Sequence, residues 1–230
     1  MITRTIEERI NIALAKKKAV TIMGPRQVGK STLAYSIIPK DAKVLEINGD
    51  NTDVQTMFVN VDEAKMKILI GNNNFLFVDE AQKIENVGNM LKIVAEKFKD
   101  VKIIVTGSSA FKLAEAVNES LTGRKREFKL YPLSFKEMAD DTSVLDESRM
   151  IDHRLIYGYY PEVVTSVGDE KEVLKELIDS YLYKDVMEEN NIAKPDKLVK
   201  LVQALAFQIG STVSATELAG LVGIDAKTVE

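Results

Sequence analysis

Residues 24–31 carry the residue types and spacing that bind the phosphates of a nucleotide. They read Gly-Pro-Arg-Gln-Val-Gly-Lys-Ser. The glycines let backbone N–H groups turn toward phosphate oxygens, the lysine reaches the β- and γ-phosphates, and the serine hydroxyl ligates Mg²⁺. The alternative is a glycine-rich turn with a solvated lysine. The residues expected to bind the nucleotide are Gly24, Pro25, Gln27, Val28, Gly29, Lys30, Ser31 and Thr32.

Two acidic residues, Asp79 and Glu80, follow the apolar run Phe-Leu-Phe-Val at residues 75–78. Such a run predicts a buried strand, and α/β sheets bind ligands beyond the carboxyl ends of their strands. We therefore expect Asp79 to hold Mg²⁺, usually through water, together with Ser31. We expect Glu80 to polarise an attacking water as a general base. The alternative is that Asp79 caps the next helix while Glu80 is solvated.

A second predicted strand end carries hydroxyl groups. The apolar residues 103–105 are followed by Thr106, Gly107, Ser108 and Ser109. A hydroxyl here can orient the attacking water and report whether ATP is intact. Ser108 is the first candidate for these roles, and Thr106 is the second. The alternative, which the sequence leaves equally open, is that Ser108 or Ser109 caps a helix.

Residues 121–129 form a basic cluster, Leu-Thr-Gly-Arg-Lys-Arg-Glu-Phe-Lys. An arginine in this place can reach a nucleotide across a subunit boundary and neutralise charge in the transition state, and Arg124 is the candidate. The alternatives are a solvated basic edge or a contact to nucleic-acid phosphates, which we prefer for Lys125 and Lys129.

The elements that would position these residues alternate between strand and helix. Such alternation implies an α/β protein with a parallel sheet covered on both faces. An amphipathic helix with Ile6, Ile10 and Leu14 on its apolar face comes first. The predicted strands are 19–23, 44–47, 75–78, 102–105 and 127–131, and the helices between them are 30–38, 62–70, 87–98 and 109–117. Beyond Pro132 the predicted elements are helices at 146–156, 170–188, 197–209, 215–222 and 226–230, of which the last two begin a helix-turn-helix.

Composition and charge narrow the class of protein. The 230 residues include 35 acidic and 31 basic side chains, a net charge of -4, so no overall basic field exists to hold a polyanion. A nucleic-acid role would need a local patch. Cysteine is absent and His153 is the single histidine, which excludes disulfides and thiolate or histidine-rich metal sites. No run approaches the roughly 18 apolar residues of a membrane helix, so we expect a cytoplasmic protein with no membrane partner.

Several motifs in this order resemble those of the prokaryotic AAA-superfamily P-loop ATPases. They are the phosphate loop at 24–31, Phe-Val-Asp-Glu-Ala-Gln at 77–82, Val-Thr-Gly-Ser-Ser at 105–109, Gly-Arg at 123–124 and Tyr-Pro-Leu-Ser-Phe-Lys-Glu at 131–137. More narrowly, the chain resembles an archaeal and bacterial group, related to origin-recognition ATPases, that ends in a C-terminal domain of unknown function.

The resemblance implies ATP or ADP with Mg²⁺ as ligands and a sheet with strand order 5-1-4-3-2. It implies an ATPase core at 1–132, a helical lid at 133–194 and the start of a winged helix at 195–230. Arg4 matches a position beside the adenine, and Gly158 fits a usual Gly-Gly pair from which Tyr159 departs. Because the last predicted helix is too short to bury an apolar face, we expect residue 230 to be a fragment boundary.

These residues predict a Mg²⁺-dependent ATP hydrolase in which bound nucleotide switches a C-terminal effector domain. An arginine in trans would require a homo-oligomer or a partner protein. The alternative from another class is a DNA-binding, initiator-like module with little hydrolysis, for which DNA is expected only with the full-length protein. A small-molecule kinase is a third hypothesis, which Glu80 disfavours because simple kinases of this fold need no water-activating glutamate.

Overall fold

A five-stranded parallel sheet forms the centre of the first of two compact units, Met1–Thr165. The computed structural model of this protein describes residues 1–58, 61–108, 120–179 and 195–229. The strands are β1 (Ala19–Met23), β2 (Val44–Asn48), β3 (Phe75–Asp79), β4 (Lys102–Gly107) and β5 (Lys125–Lys129). Their order is β2-β3-β4-β1-β5, which, read from the β5 edge, is the predicted 5-1-4-3-2. The α/β fold class with a P-loop type of sheet is confirmed.

Alternation of side chains along the strands explains why the sheet is covered on both faces. In β3, Phe75 and Phe77 join the apolar core on one face, while Leu76 and Val78 join the core on the other. This period of two places successive side chains on opposite sides of a strand. Every residue of β1 is also buried, so a polar site can form only where the strands end.

Helices pack against both cores. Those on the face of Phe77 are α1 (Glu7–Ala15) and α2 (Lys30–Ile37). Those on the face of Val78 are α3 (Thr52–Phe58), α4 (Glu63–Ile70) and α5 (Val87–Lys97). Of these helices, α3 was not predicted from the sequence. The predicted helix at 109–117 and the candidate cap Ser109 lie outside the described residues.

Strand β5 begins two residues earlier than the predicted range 127–131. It pairs with β1 from Ala19 opposite Lys125 to Met23 opposite Lys129, and Phe128 is its one buried residue. An edge strand has a hydrogen-bonded neighbour on one side alone, so charged side chains are tolerated along it. Apolar periodicity therefore misplaced this strand.

Four helices follow the sheet within the first unit. They are α6 (Phe135–Asp141), α7 (Val144–Arg149), α8 (Ile151–Tyr157) and α9 (Pro161–Thr165). The single helix predicted at 146–156 was wrong, because two helices meet at Met150. Ser143 begins α7 early by capping it with its hydroxyl. A buried ion pair of 3.1 Å between Arg154 Nε and Glu147 Oε1 joins the two helices.

The second compact unit, Ser166–Glu230, is helical in its described residues. Its helices are α10 (Glu170–Leu177), α11 (Pro195–Phe207), α12 (Ala215–Val222) and α13 (Ala226–Val229). Gly223 ends α12 with a φ of 70° and leads through a short turn to α13, as expected for a helix-turn-helix. The winged helix stays a prediction, and so do the domain boundaries after 132 and 194, which differ from the division after Thr165.

Among the described residues, no helix combines the length and apolar character needed to cross a membrane.

Replacing Gly24 by alanine should destabilise the protein, because a Cβ atom there would overlap the backbone carbonyl of Leu130, just past β5. We expect a loss of about 2 kcal/mol, seen in thermal unfolding as a Tm lower by roughly 4–8 °C. Gly220→Ala is the matched control, since a Cβ at this position in α12 meets open space and alanine favours helix. Equal changes in Tm for the two variants would contradict the packing described.

Candidate functional site

The phosphate loop connects the buried strand β1 to the start of α2. Gly29 precedes α2 with a φ of 94°, and Gln27 has a φ of 56°, so the loop turns through left-handed conformations. Lys30 is only 5% exposed, and its Nζ donates to the carbonyls of Gly24 at 3.0 Å and Pro25 at 2.9 Å. The ammonium group is thus held inside the loop.

Asp79 ends β3 and lies against the first turn of α2. The Ser31 hydroxyl donates to Asp79 Oδ2 at 2.8 Å, and the hydroxyl of Thr106 donates to Oδ1. The backbone N–H of Glu80 donates to the same Oδ1 at 3.1 Å. Three donors therefore orient one carboxylate. The contact from Thr106 depends on the order of the strands, since β4 lies between β3 and β1 and carries Thr106 to this place.

Glu80 belongs to a second polar cluster beside Asp79. Gln82 Nε2 donates to Glu80 Oε2 at 2.5 Å and to Ser108 Oγ at 3.0 Å, while Ser108 Oγ donates to Glu80 Oε2 at 3.3 Å. The sequence did not single out Gln82, although it stands in the motif at 77–82. Two donors on one oxygen hold the Glu80 carboxylate in a single orientation. Thr106 and Ser108 therefore donate to different carboxylates, Thr106 to Asp79 and Ser108 to Glu80.

Glu80 also has an unusual backbone conformation. Its φ of 47° and ψ of 44° are left-handed, which costs a non-glycine residue about 1–2 kcal/mol. The end of β2 makes room for it, because a Cβ on Gly49 would overlap the Glu80 carbonyl oxygen, and Gly49 N donates to Asp79 O at 2.8 Å. The close approach of these two strand ends therefore sets where Glu80 lies.

Arg4 makes contacts that the sequence did not predict. Its buried guanidinium donates from Nε to Glu137 Oε1 at 3.2 Å, and from Nη1 to the phosphate-loop carbonyl of Val28 at 3.2 Å. The Nη2 group donates to the carbonyls of Tyr131 and Pro132. These donors bind protein oxygens and tie the phosphate loop to the start of α6. The position beside adenine that the resemblance implied for Arg4 stays a prediction.

Glu137 is the buried carboxylate that receives Arg4. It accepts N–H groups from Thr5 at 2.8 Å and Ser134 at 2.9 Å, and with Ser134 it forms the capping box of α6. Burial raises the pKa of Glu137, but the hydrogen bonds from Thr5 and Ser134 and the charge of Arg4 outweigh it and lower the pKa. The Ser-x-x-Glu spacing at 134–137 is a capping-box signal that pointed to this residue in the sequence.

A cavity of about 640 Å³ lies between the N-terminal segment, α2 and the helices that follow Pro132. Its apolar lining includes Leu33, Leu133 and Val164, and Thr32 and Arg154 add polar groups. The loop at 158–159 contributes to the packing nearby, since Tyr159 O accepts the N–H of Leu133 at 2.8 Å.

Arg124 lies apart from all of these residues. It precedes β5, its carbonyl accepts the N–H of Ala19 at the start of β1, and its Nη1 pairs with Glu96 at 2.7 Å. Because the strands are parallel, Arg124 is at the amino edge of the sheet and the phosphate loop is at the carboxyl edge. Arg124 is therefore not part of its own chain's candidate site, and a role in a neighbouring subunit stays a prediction.

The comparison with protein families identifies the domain that holds this candidate site. A family model described as an AAA domain matches residues 16–139, which is more than half of the chain. The chain belongs to this AAA domain family. The P-loop ATPase resemblance inferred from the motifs is confirmed at the level of the AAA domain, whereas the relation to origin-recognition ATPases stays a prediction. A second model, a domain of unknown function (DUF8612), matches residues 148–230 of the AAA protein.

Curated relatives of the AAA protein come from archaea and bacteria. An uncharacterized protein of Methanocaldococcus jannaschii is 28% identical over 95% of this chain and 53% of its own length. One of Haemophilus influenzae is 29% identical over 63% of this chain and 37% of its own length. The chain thus spans about half or less of the length of these relatives.

Solved structures resemble the AAA protein in fold. The Walker-type ATPase of Pyrococcus abyssi matches with a TM-score of 0.59 at 16% identity, covering 97% of this chain and 88% of its own. A signal-transduction ATPase with a tetratricopeptide repeat sensor from Pyrococcus horikoshii matches with a TM-score of 0.50 at 14% identity, covering 81% of this chain and 34% of its own. At these identities the likeness extends to the fold alone.

Replacing Glu137 by glutamine should destabilise the protein at neutral pH, because Arg4 loses its buried counter-charge. We expect a loss of about 2 kcal/mol, or roughly 4–8 °C in Tm. Because the pKa of Glu137 is lowered in the folded state, its stabilisation is present above the ordinary glutamate range and is lost as pH falls below it. The difference in Tm between wild type and variant should therefore shrink in acid.

Glu8→Gln, on the exposed face of α1, is the matched control and should leave Tm unchanged at each pH. A difference between wild type and Glu137→Gln that stays constant from neutral pH to acid would contradict the lowered pKa.

Proposed function

We propose that this protein binds ATP with Mg²⁺, hydrolyses it to ADP and phosphate, and uses the bound nucleotide as a switch for its C-terminal part. The observation that carries the proposal is the contact of 2.8 Å between the Ser31 hydroxyl and Asp79 Oδ2, with Glu80 one residue further on. A hydroxyl and a carboxylate that converge at the end of a phosphate loop have the chemistry of a magnesium–nucleotide site.

The loop fits the phosphates of a nucleotide. Lys30 Nζ now donates to the carbonyls of Gly24 and Pro25, and phosphate oxygens would offer it stronger, charge-assisted acceptors. The N-terminus of α2 directs backbone N–H groups and partial positive charge to the same place. The residues that would bind the nucleotide remain 24, 25 and 27–32.

The residues also fit Mg²⁺. Within the described part of the chain, no group of three or more His, Cys, Asp or Glu side chains could enclose a metal ion. Mg²⁺ does not need one, since it keeps several waters and takes one or two protein oxygens together with phosphate oxygens. Ser31 and Asp79 would supply those oxygens. When bound, Mg²⁺ neutralises charge on the phosphates.

Glu80 and its partners would act on the attacking water. In this account the water oxygen forms a bond to the γ-phosphorus, the bond to the β–γ bridging oxygen breaks, and the water proton passes to Glu80. Gln82 and Ser108 would orient the Glu80 carboxylate through the hydrogen bonds to Oε2. Ser108 remains our candidate for sensing whether the γ-phosphate is present.

The cavity beside α2 would take the base and sugar. It opens next to Gly29 and Thr32, and its apolar lining suits the faces of a purine. Arg4 also lines it and connects the phosphate loop to Glu137 at the start of α6. This connection supports a switch in which the state of the loop is passed to the helices beyond Pro132. Arg124 would complete the site of a neighbouring copy or of a partner protein.

Lys30→Ala should reduce ATP affinity by about a hundredfold or more, since the ammonium contact to the phosphates is lost. Glu80→Gln should keep ATP affinity within about threefold of wild type and lower the rate of phosphate release by about a hundredfold. Isothermal titration measures the first quantity and a phosphate-release assay the second. Exposed Lys67→Ala is the matched control and should change neither.

Normal ATP binding by the Lys30→Ala protein would contradict the proposal. Transfer of phosphate to a small molecule, without free phosphate, would favour the kinase alternative. ATP binding without turnover, in an oligomer as well as a monomer, would favour the initiator-like alternative with little hydrolysis.

A further inference from the structure

Cationic side chains gather at the amino edge of the sheet, opposite the phosphate loop. We call the group Lys17, Lys18, Lys99, Lys102 and Arg124 the amino-edge patch. All five line one cavity of about 290 Å³. They come from three separate segments of the sequence, which the fold joins because β5, β1 and β4 are neighbours. The net charge of -4 gives no sign of this patch, because the fold brings its residues together from separate segments.

The strand register places three of these cations in a row. Ala19 pairs with Lys125 and Val20 pairs with Ile104, so Lys18 lies level with Arg124 on one side and with Lys102 on the other. Neighbouring strands are about 4.8 Å apart. A polyanion along this edge of the sheet can therefore contact more than one of these side chains.

Nearby carboxylates compensate this charge only in part. Asp100 pairs with Lys17 at 2.9 Å, but both side chains are exposed, 96% and 66%, so the pair is screened by water. Glu96 pairs with Arg124. Within the described residues, Lys99 has no ion pair, and Lys102 contacts the ring of Phe75 at 5.2 Å. The hydrogen bond from Lys17 lowers the pKa of Asp100, and that from Arg124 lowers the pKa of Glu96.

The floor of the cavity is apolar and includes an aromatic ring. Leu14, Ala19 and Ile103 line it together with Phe98, which is partly buried against the core. A rim of cations around an aromatic floor is the combination that binds single-stranded nucleic acid, in which phosphates meet the cations and an unstacked base meets the ring. A duplex, whose bases are already stacked, would use the rim but not the floor.

We infer that the amino-edge patch binds single-stranded nucleic acid, with its phosphates on the four lysines and a base against Phe98. This site is distinct from the proposed ATP site, since it lies at the other ends of β1 and β4. The inference does not rest on ATP hydrolysis.

Fluorescence anisotropy of labelled single strands of about 20 nucleotides tests the inference, with the full 230-residue chain and DNA and RNA of one sequence. Roughly three to four phosphate contacts predict a slope of log K against log salt of about -2 to -3. Lys99→Glu with Lys102→Glu should weaken binding about tenfold or more and make the slope shallower. Phe98→Leu should weaken binding about fivefold with the slope unchanged.

Two variants separate this site from general charge and from the ATP site. Lys67→Glu with Lys171→Glu makes the same change in net charge at exposed positions elsewhere, and should bind as wild type does. Lys30→Ala should also bind nucleic acid normally, even where it loses ATP.

Several results would overturn the inference. One is the absence of binding at about 50 mM salt. Another is an equal loss of affinity in the Lys99→Glu, Lys102→Glu variant and in the control double variant. The others are tighter binding of a duplex than of the single strand, and tighter binding of a polyglutamate peptide than of both nucleic acids. Binding of either single-stranded DNA or single-stranded RNA supports the inference, and the one that binds more tightly identifies the preferred nucleic acid.

Discussion

The hydrogen bond from the Ser31 hydroxyl to Asp79 joins two segments that are 48 residues apart in the sequence. It can form because β1, β4 and β3 are parallel neighbours, so that their carboxyl ends lie at one edge of the sheet. The contacts around the two acidic residues follow from this arrangement. Thr106 reaches Asp79 from the middle strand, and Ser108, two residues later, reaches Glu80.

The placement of Lys30, Ser31 and Asp79 at one end of the sheet was largely predictable from the sequence, because it depends on local patterns. The apolar run before Asp79 predicts a buried strand, and the spacing from Gly24 to Ser31 predicts a loop between a strand and a helix. The order of the strands followed from a family resemblance. The edge strand β5 was misplaced because its charged residues break the apolar pattern that marks a buried strand.

The contacts that the sequence did not reveal are long-range ones between single residues. Arg4 and Glu137 are 133 residues apart, and nothing in the local pattern around Arg4 marks it as buried. The Ser-x-x-Glu spacing at 134–137 is a capping-box signal for a helix start, but it does not show that Glu137 accepts an arginine. The position of Arg124 could not be predicted from local patterns either. Its distance from the phosphate loop depends on the direction of β5 and not on its neighbours in the sequence.

The central claim is that Ser31 and Asp79 hold Mg²⁺ beside nucleotide phosphates bound at residues 24–31. A crystal structure with a non-hydrolysable ATP analogue and Mg²⁺ tests it most directly. We predict that the β- and γ-phosphates lie within the loop, that Lys30 leaves the carbonyls of Gly24 and Pro25 for phosphate oxygens, and that the metal lies between the Ser31 hydroxyl and Asp79. A nucleotide bound elsewhere, or a loop with Lys30 unmoved and no ion near Asp79, would contradict the account.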